Sequence, residues 1–132
     1  MLTEDLPIYR SMYNLSLRII DARDRFDKKY KYIIGDKMMD IAMDCLTLIH
    51  FANEDRRQGM RAEHLNMFLI KFDVLKTYIM VCRDRAQFKT AALLADIFQL
   101  TADVEKQLTG WRRSARGTES QSSTAKRVGE SN

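Results

Sequence analysis

Two histidines and a glutamate come closest to the pattern of a metal site. His50 and Glu54 are four residues apart, on one face of a helix, and His64 begins the next helical segment. If the chain reverses at residues 58–59, the three side chains become neighbours, and imidazole and carboxylate groups bind zinc. The Glu-x-x-His pairs of two-metal helical bundles are missing from the sequence. We favour the interpretation that both histidines are polar residues near a loop, and we predict no metal or other cofactor.

Arginine and histidine also occur at a spacing that some helical ribonucleases use. Arg57 and His64 are separated by six residues, but the pair spans the turn at Gly59 instead of lying on one helix. The sequence has no glycine-rich phosphate loop, no nucleophile elbow and no zinc-type cysteine spacing. We therefore predict no catalytic residue and no small-molecule substrate, and we expect that the protein is not an enzyme.

The two cysteines are predicted to be core residues. Reversal of the chain separates Cys45 from Cys82 by about 15 Å along the helix axis, whereas a disulfide requires Cα atoms within about 7 Å. The sequence therefore predicts two buried free thiols. No apolar run approaches the length of a membrane span, and MLTEDLPIYR lacks the pattern of a signal peptide. We expect a cytoplasmic protein with no membrane partner.

Four amphipathic segments position these residues. Their apolar side chains recur at alternating spacings of three and four, which is typical of a helix with one buried face. In chain order they are Ile8, Met12, Leu15, Ile19, Ala22 and Phe26; Ile34, Met38, Ile41, Cys45, Leu48 and Ala52; Leu65, Phe68, Phe72, Leu75, Ile79 and Cys82; and Leu93, Ile97, Leu100, Val104, Leu108 and Trp111. The 132 residues suffice for one domain, and short connections favour antiparallel neighbours. The prediction is an all-α, antiparallel, up-down-up-down four-helix bundle over residues 1–113.

The C-terminal segment differs in composition from the rest of the chain. Residues 112–132 contain five basic and two acidic residues, which gives +3 of the net charge of +4. Serine and threonine are abundant there, and Val128 is the only sizeable apolar residue. Such a segment buries too little apolar surface to offset its ordering entropy. We predict a disordered basic tail over residues 114–132.

The cations of the bundle concentrate at its two ends. The predicted topology brings the first and third connections to one end, and the second connection and both termini to the other. The candidate nucleic-acid contacts are Arg23, Arg25, Lys28, Lys29, Lys31, Arg83 and Arg85 at the first end, and Arg56, Arg57, Arg112 and Arg113 at the second. Tyr30 and Tyr32 are interleaved with lysines in the first connection, a loop predicted at residues 24–36, and could stack on bases. Trp111 is predicted to cap the core. In the alternative interpretation, these ends are simply solvated, with nearby aspartates weakening the field.

The second and third helices carry more apolar surface than a lone bundle needs. Met39, Met43 and Leu46 form a second apolar row on one helix. On the next helix the additional apolar residues are Met67, Ile70, Val74, Met80 and Val81. This excess predicts burial against another subunit, with the first three residues at the oligomer interface. The alternative is a wider internal core that uses methionine to fill gaps.

Three segments resemble the Avd-like four-helix bundle proteins, Avd being the accessory variability determinant of diversity-generating retroelements. They are LPIYRSMYNLSLRIIDARDRFDKKYKYIIGDKM, LIHFANEDRR and LTGWRRS. The shared features are a basic-aromatic stretch that leads into Ile-Gly, and a Gly-Trp followed by basic residues. The resemblance covers about residues 6–114. A sister group, the proteins encoded within intervening sequences of bacterial 23S ribosomal RNA genes, is similar in the same way.

The resemblance implies a ring-like homopentamer of bundles that binds the retroelement's reverse transcriptase and supports the copying of template RNA into cDNA. Basic surfaces would then contact the RNA backbone, where lysine and arginine supply affinity without reading sequence. We expect an accessory subunit of the polymerase that binds RNA or cDNA. The sister group leaves open an assembly protein without direct nucleic-acid binding.

Overall fold

The structure is a computed structural model that describes residues 1–131, with side chains described as far as Ala115. A 3-10 turn at Thr3–Asp5 precedes α1 (Pro7–Asp24) and the single turn α2 (Lys28–Tyr30). A π-helical segment (Lys31–Gly35) leads directly into α3 (Asp36–Glu54), which is followed by α4 (Met60–Asp84) and α5 (Ala91–Ser131). Residues 1–131 contain no β-strand. The prediction of an all-helical chain with four long helices is confirmed.

Local sequence explains where the helices begin. Pro7 occupies the first turn of α1, where its missing N–H has no partner to lose. Gly59 precedes α4 with φ 81°, a left-handed conformation that glycine adopts without a steric penalty. The Thr90 hydroxyl accepts a hydrogen bond of 3.2 Å from the Leu93 amide and caps the start of α5.

The first connection is largely helical, not a loop. The sequence predicts an interruption at residues 24–36, but the chain leaves helical geometry only briefly before residues 28–35 form α2 and the π-helical segment. Tyr30 and Tyr32 therefore lie on a helical backbone that continues into α3, and their prediction as loop residues is wrong. A π-helical turn is rare and is frequently found at functional sites.

The four long helices enclose one core. α1 packs against α3 and α5, and α4 packs against the same two helices. The predicted stripes of α1 and α4 are buried throughout. In α3 the predicted stripe is partly wrong, because Ala42 and Ile49 are buried with Met38 while Ile41 and Leu48 are only half-buried. Within residues 1–131, none of the helices combines the length and the apolar character that crossing a bilayer requires.

Helix α5 extends beyond the predicted end of the bundle. Ala115 is buried as part of the core, so packing reaches past residue 113. The helical backbone continues to Ser131, through the segment for which composition predicts disorder. The side chains of residue 116 and residues 118–132 lie outside the described part of the chain. The separate tail at residues 114–132 stays a prediction.

Candidate nucleic-acid interface

The first basic end is assembled from two connections that are distant in sequence. The Gln87 side chain donates to Asp27 Oδ2 at 3.0 Å and accepts from the Asp27 amide at 2.8 Å. Lys89 Nζ lies 3.1 Å from Asp27 Oδ1. These contacts tie the α1–α2 link to the α4–α5 link. They bring together the seven cations that we call the Tyr32 end: Arg23, Arg25, Lys28, Lys29, Lys31, Arg83 and Arg85.

Two of these seven cations are paired with carboxylates. Arg23 Nε donates to Asp36 Oδ1 at 3.0 Å, and Arg83 Nε donates to Asp84 Oδ1 at 3.0 Å. The other five form no ion pair with any side chain that the structure describes. The Tyr32 end therefore presents five cations that form no ion pair with the described side chains, while Asp36, Asp84 and Asp27 are engaged by Arg23, Arg83 and Lys89.

The two tyrosines of this end have different environments. Tyr30 is half-buried and packs against the core, and Lys29 Nζ lies 5.7 Å from its ring centroid. Tyr32 is 57% exposed, and its ring carries the Arg23 guanidinium and Lys31 Nζ, each 5.7 Å from the centroid. Of the two tyrosines, Tyr32 is therefore the one whose ring is largely accessible beside cations.

The second basic end is organised by Asp55, a residue that the sequence analysis missed. Arg57 donates to both carboxylate oxygens, at 2.9 and 2.7 Å, and His64 Nε2 lies 2.8 Å from Oδ2. The Asp55 side chain is only 12% exposed. Hydrogen bonds from Arg57, followed by that from His64, hold the pKa of the Asp55 carboxyl well below its usual range. The only feature of the sequence that could have indicated this role is the position of Asp55 just before Arg56 and Arg57.

The remaining cations of this end, which we call the Trp111 end (Arg56, Arg57, Arg112 and Arg113), are partly engaged. Arg112 Nη2 donates to Asn66 Oδ1 at 3.0 Å, while Arg112 Nε is buried without a hydrogen-bond partner among the described side chains. Arg61 lies 5.8 Å from the Trp111 ring centroid, and Trp111 packs against the core as predicted. Arg56 and Arg113 are exposed.

The two histidines are held apart by separate partners. His50 Nδ1 lies 3.0 Å from the Thr3 hydroxyl, and His64 belongs to the Asp55 cluster. The Phe51 ring lies between the histidine rings, with centroids 5.9 and 5.8 Å away. Within the part of the chain whose side chains are described, no three His, Cys, Asp or Glu residues are grouped closely enough to hold a metal ion.

Both cysteines are buried free thiols, which confirms the sequence prediction. Cys82 Sγ lies 3.8 Å from Met38 Sδ, so the packing between α3 and α4 separates it from Cys45. Burial raises the pKa of Cys45 to about 12 and that of Cys82 to about 11. Such thiols are poor nucleophiles, because the thiolate is the reactive form.

Helix α3 carries apolar side chains on both flanks. Met39, Met43 and Leu46 lie on the flank toward α1, the flank from which His50 reaches Thr3. Met43 is 44% exposed, whereas Met39 and Leu46 are half-buried against the core. Tyr13 and Leu17 of α1 are also exposed. We call this surface the α1–α3 face.

A second apolar surface lies on the other side of α3. Met67, Ile70, Val74 and Val81 of α4 are exposed. They lie on the flank of α4 from which Lys71 reaches Asp44 of α3. Phe51 of α3 is exposed on the same side. We call this surface the α3–α4 face; Met80, although exposed, points toward the opposite flank of α4.

Comparison with known proteins adds no relative. The chain matches no protein-family model, no curated protein and no solved structure.

Proposed function

We propose that this chain is a non-enzymatic accessory subunit of a diversity-generating retroelement reverse transcriptase, which holds RNA or cDNA at the Tyr32 end. The observation that carries the proposal is the convergence, on one end of the bundle, of the exposed Tyr32 ring and five cations that form no ion pair with the described side chains. The resemblance of residues 6–114 to Avd-like proteins supplies the polymerase as the partner. A cytoplasmic location belongs to the same proposal.

An antiparallel, up-down-up-down arrangement is part of this proposal. Contacts between helix ends support it. Arg23 at the end of α1 pairs with Asp36 at the start of α3, and Cys82 near the end of α4 contacts Met38 near the start of α3. Lys89 before α5 reaches Asp27 after α1. This arrangement would leave the centre of each helix for packing and the ends for partners.

Assembly into a ring-like homo-oligomer, a pentamer by resemblance, completes the proposal. The α1–α3 and α3–α4 faces differ in sequence and lie on opposite flanks of α3. Pairing one face with the other on the next subunit is a heterologous contact, which closes into a ring when the rotation permits. Light scattering should then give a mass several times that of the chain. Ile70→Glu should lower that mass, whereas Ala102→Glu, which adds the same charge at an exposed position of α5, should not.

Binding of RNA tests the central part of the proposal. The protein should retain labelled RNA in a filter-binding titration, and the affinity should fall steeply between two salt concentrations because lysines and arginines displace counterions from phosphates. Co-expression with a diversity-generating retroelement reverse transcriptase should yield a complex. Absence of RNA binding at low salt would reject the nucleic-acid role, and failure to form a complex would reject the polymerase role.

A second candidate is an assembly protein that does not bind nucleic acid. The pairing of Arg23 with Asp36, of Arg83 with Asp84 and of Lys89 with Asp27 favours it, because these contacts reduce the positive field at the Tyr32 end. The resemblance of the same segments to the ribosomal-RNA intervening-sequence proteins points to this candidate. It predicts a normal oligomer with no retention of RNA at either salt concentration.

A further inference from the structure

The π-helical segment presents one aromatic ring to solvent in a fixed setting. Tyr32 lies within Lys31–Gly35, and its neighbour Ile33 is also exposed at 57%. Neither residue joins the core cluster, whereas Tyr30 and Ile34 on either side pack against it. The segment thus anchors itself through Tyr30 and Ile34 and leaves the Tyr32 ring accessible.

Arg23 is pinned beside this ring by two contacts. Its guanidinium pairs with Asp36, and its alkyl chain passes over Gly35, where an added Cβ would lie 2.8 Å from Arg23 Cγ. The Arg23 side chain is only 17% exposed. The ion pair and this packing therefore hold the Arg23 guanidinium beside the Tyr32 ring.

Lys31, the second cation beside the Tyr32 ring, has fewer partners than Arg23. Its ammonium group lies 5.7 Å from the Tyr32 centroid and has no carboxylate partner among the described side chains. Lys31 is half-buried, whereas Lys28 and Arg25 at the same end are exposed; neither of these two forms an ion pair with the described side chains. Lysine is a flexible point charge, so Lys31 can move from the ring to a phosphate when a ligand covers the ring.

We propose that Tyr32 is a stacking platform for an unpaired base of single-stranded RNA, with Lys31, Lys28 and Arg25 contacting the adjacent phosphates. The proposal rests on the proposed function and assigns its ligand and contact residue. Stacking requires a base whose face is not covered by a partner, so the site selects single-stranded over duplex RNA. Charge alone would bind both forms, because both carry phosphates.

The experiment compares two RNAs on the full chain. A short unstructured oligonucleotide and the same strand annealed to its complement are titrated by fluorescence anisotropy at one salt concentration. Tyr32→Ala and Tyr32→Leu should each weaken binding of the single strand by about tenfold and leave duplex binding within twofold of wild type. Tyr32→Phe, which keeps the ring, should bind as wild type does.

Phe98→Leu provides the matched control. Phe98 is an exposed aromatic residue of α5, at 38%, outside both apolar faces, with the Arg83 guanidinium 5.8 Å from its ring centroid, and its replacement should change neither affinity. Circular dichroism should show equal helicity for all variants. If Tyr32→Leu binds the single strand as tightly as wild type, the ring is not a stacking platform, although the basic end would remain an RNA-binding surface. If Tyr32→Leu weakens the binding of single-stranded and duplex RNA equally, the inference is also wrong. If the wild-type protein binds no RNA, the proposed function is rejected together with the inference.

Discussion

The two ends of the bundle carry cations in different states. At the Tyr32 end, Arg23 and Arg83 are paired, and five other cations form no ion pair among the described side chains. At the Trp111 end, Asp55 binds Arg57 and Asn66 binds Arg112, which leaves Arg56 and Arg113. Five of the seven cations at the Tyr32 end, but two of the four at the Trp111 end, are therefore held by no carboxylate or amide among the described side chains.

The two ends also differ in the burial of an acidic residue that links their connections. Asp55 is nearly buried and accepts hydrogen bonds from Arg57 and His64. These hydrogen bonds stabilise the connection between α3 and α4. Asp27 at the other end is 64% exposed. Its bonds with Gln87 and Lys89 lower the pKa of its carboxyl, but solvent screens an exposed ion pair. The acidic group at the Trp111 end is thus the more shielded of the two, and the ion pair at the Tyr32 end is the more screened by solvent.

Removal of the free cations should have the largest effect. Replacing Arg25, Lys28, Lys29, Lys31 and Arg85 with alanine should weaken RNA binding by roughly 100-fold at low salt, and should reduce the salt slope by about 0.7 for each lost contact. Filter binding at several salt concentrations measures both quantities. Replacing Arg56 and Arg113 is the comparison at the other end, and a loss of similar size there would remove the distinction between the ends.

Loss of Asp55 should lower stability more than loss of any other acidic residue at either end of the bundle. Asp55→Ala removes the acceptor of Arg57 and His64, so the thermal midpoint should fall by several degrees. The freed Arg57 should also raise RNA affinity slightly. Asp84→Ala is the matched control, because it removes a carboxylate from the exposed Arg83 pair and should leave the midpoint nearly unchanged. Equal midpoints for the two variants would contradict the structural role of Asp55.

The two ends should also differ in their response to acid. Because the folded-state pKa of Asp55 is lowered, its contribution to stability is complete above the unfolded value of about 3.9 and is lost as pH falls below it. The difference in urea midpoint between wild type and Asp55→Asn should therefore be largest near pH 7 and should shrink below about pH 4. The difference in urea midpoint between wild type and Asp27→Asn should shrink in the same pH range but should be smaller. A larger difference for Asp27→Asn than for Asp55→Asn would show that Asp27 contributes more to stability.

The smallest expected effect is at Gly35. Gly35→Ala adds a Cβ against Arg23, so the Arg23 side chain must shift away from Asp36 and Tyr32. Alanine gains about 1 kcal/mol of helix propensity over glycine, which offsets the lost ion pair, and the free energy of unfolding should change by less than about 1 kcal/mol. RNA affinity should fall only a few-fold. A large loss of stability would show that the backbone, not the Arg23 side chain, needs the glycine.

Much of the fold could be predicted from periodicity alone. The stripes of α1 and α4 each contain one strong apolar row, and all their predicted members are buried. In α3 three apolar rows compete, and periodicity could not select the one that contains Ala42 and Ile49. Small side chains on that row let α3 approach its neighbours closely, which is a property of the packed pair and not of the helix.

The candidate site was predictable as a set of cations but not as an arrangement. The structure brings the seven predicted cations of the Tyr32 end to one end of the bundle, and their contact with nucleic acid stays a prediction. The sequence placed Tyr30 and Tyr32 together in a loop, whereas they lie on a helical backbone. Asp55 and Thr3 were missed because each acts through a partner on a separate element, His64 and His50 respectively.

The sequence by itself determined the helical class and the buried stripes of α1 and α4, because these depend on spacing within one helix. It also determined the free thiols, because reversal of the chain at a short turn places Cys45 and Cys82 at different heights along the two helices. Only the tertiary structure decided which row of α3 is buried, which cations are neutralised and which tyrosine is exposed. Those properties depend on partners far along the chain, such as Asp27 with Lys89 and Arg23 with Asp36, and local periodicity contains no information about them.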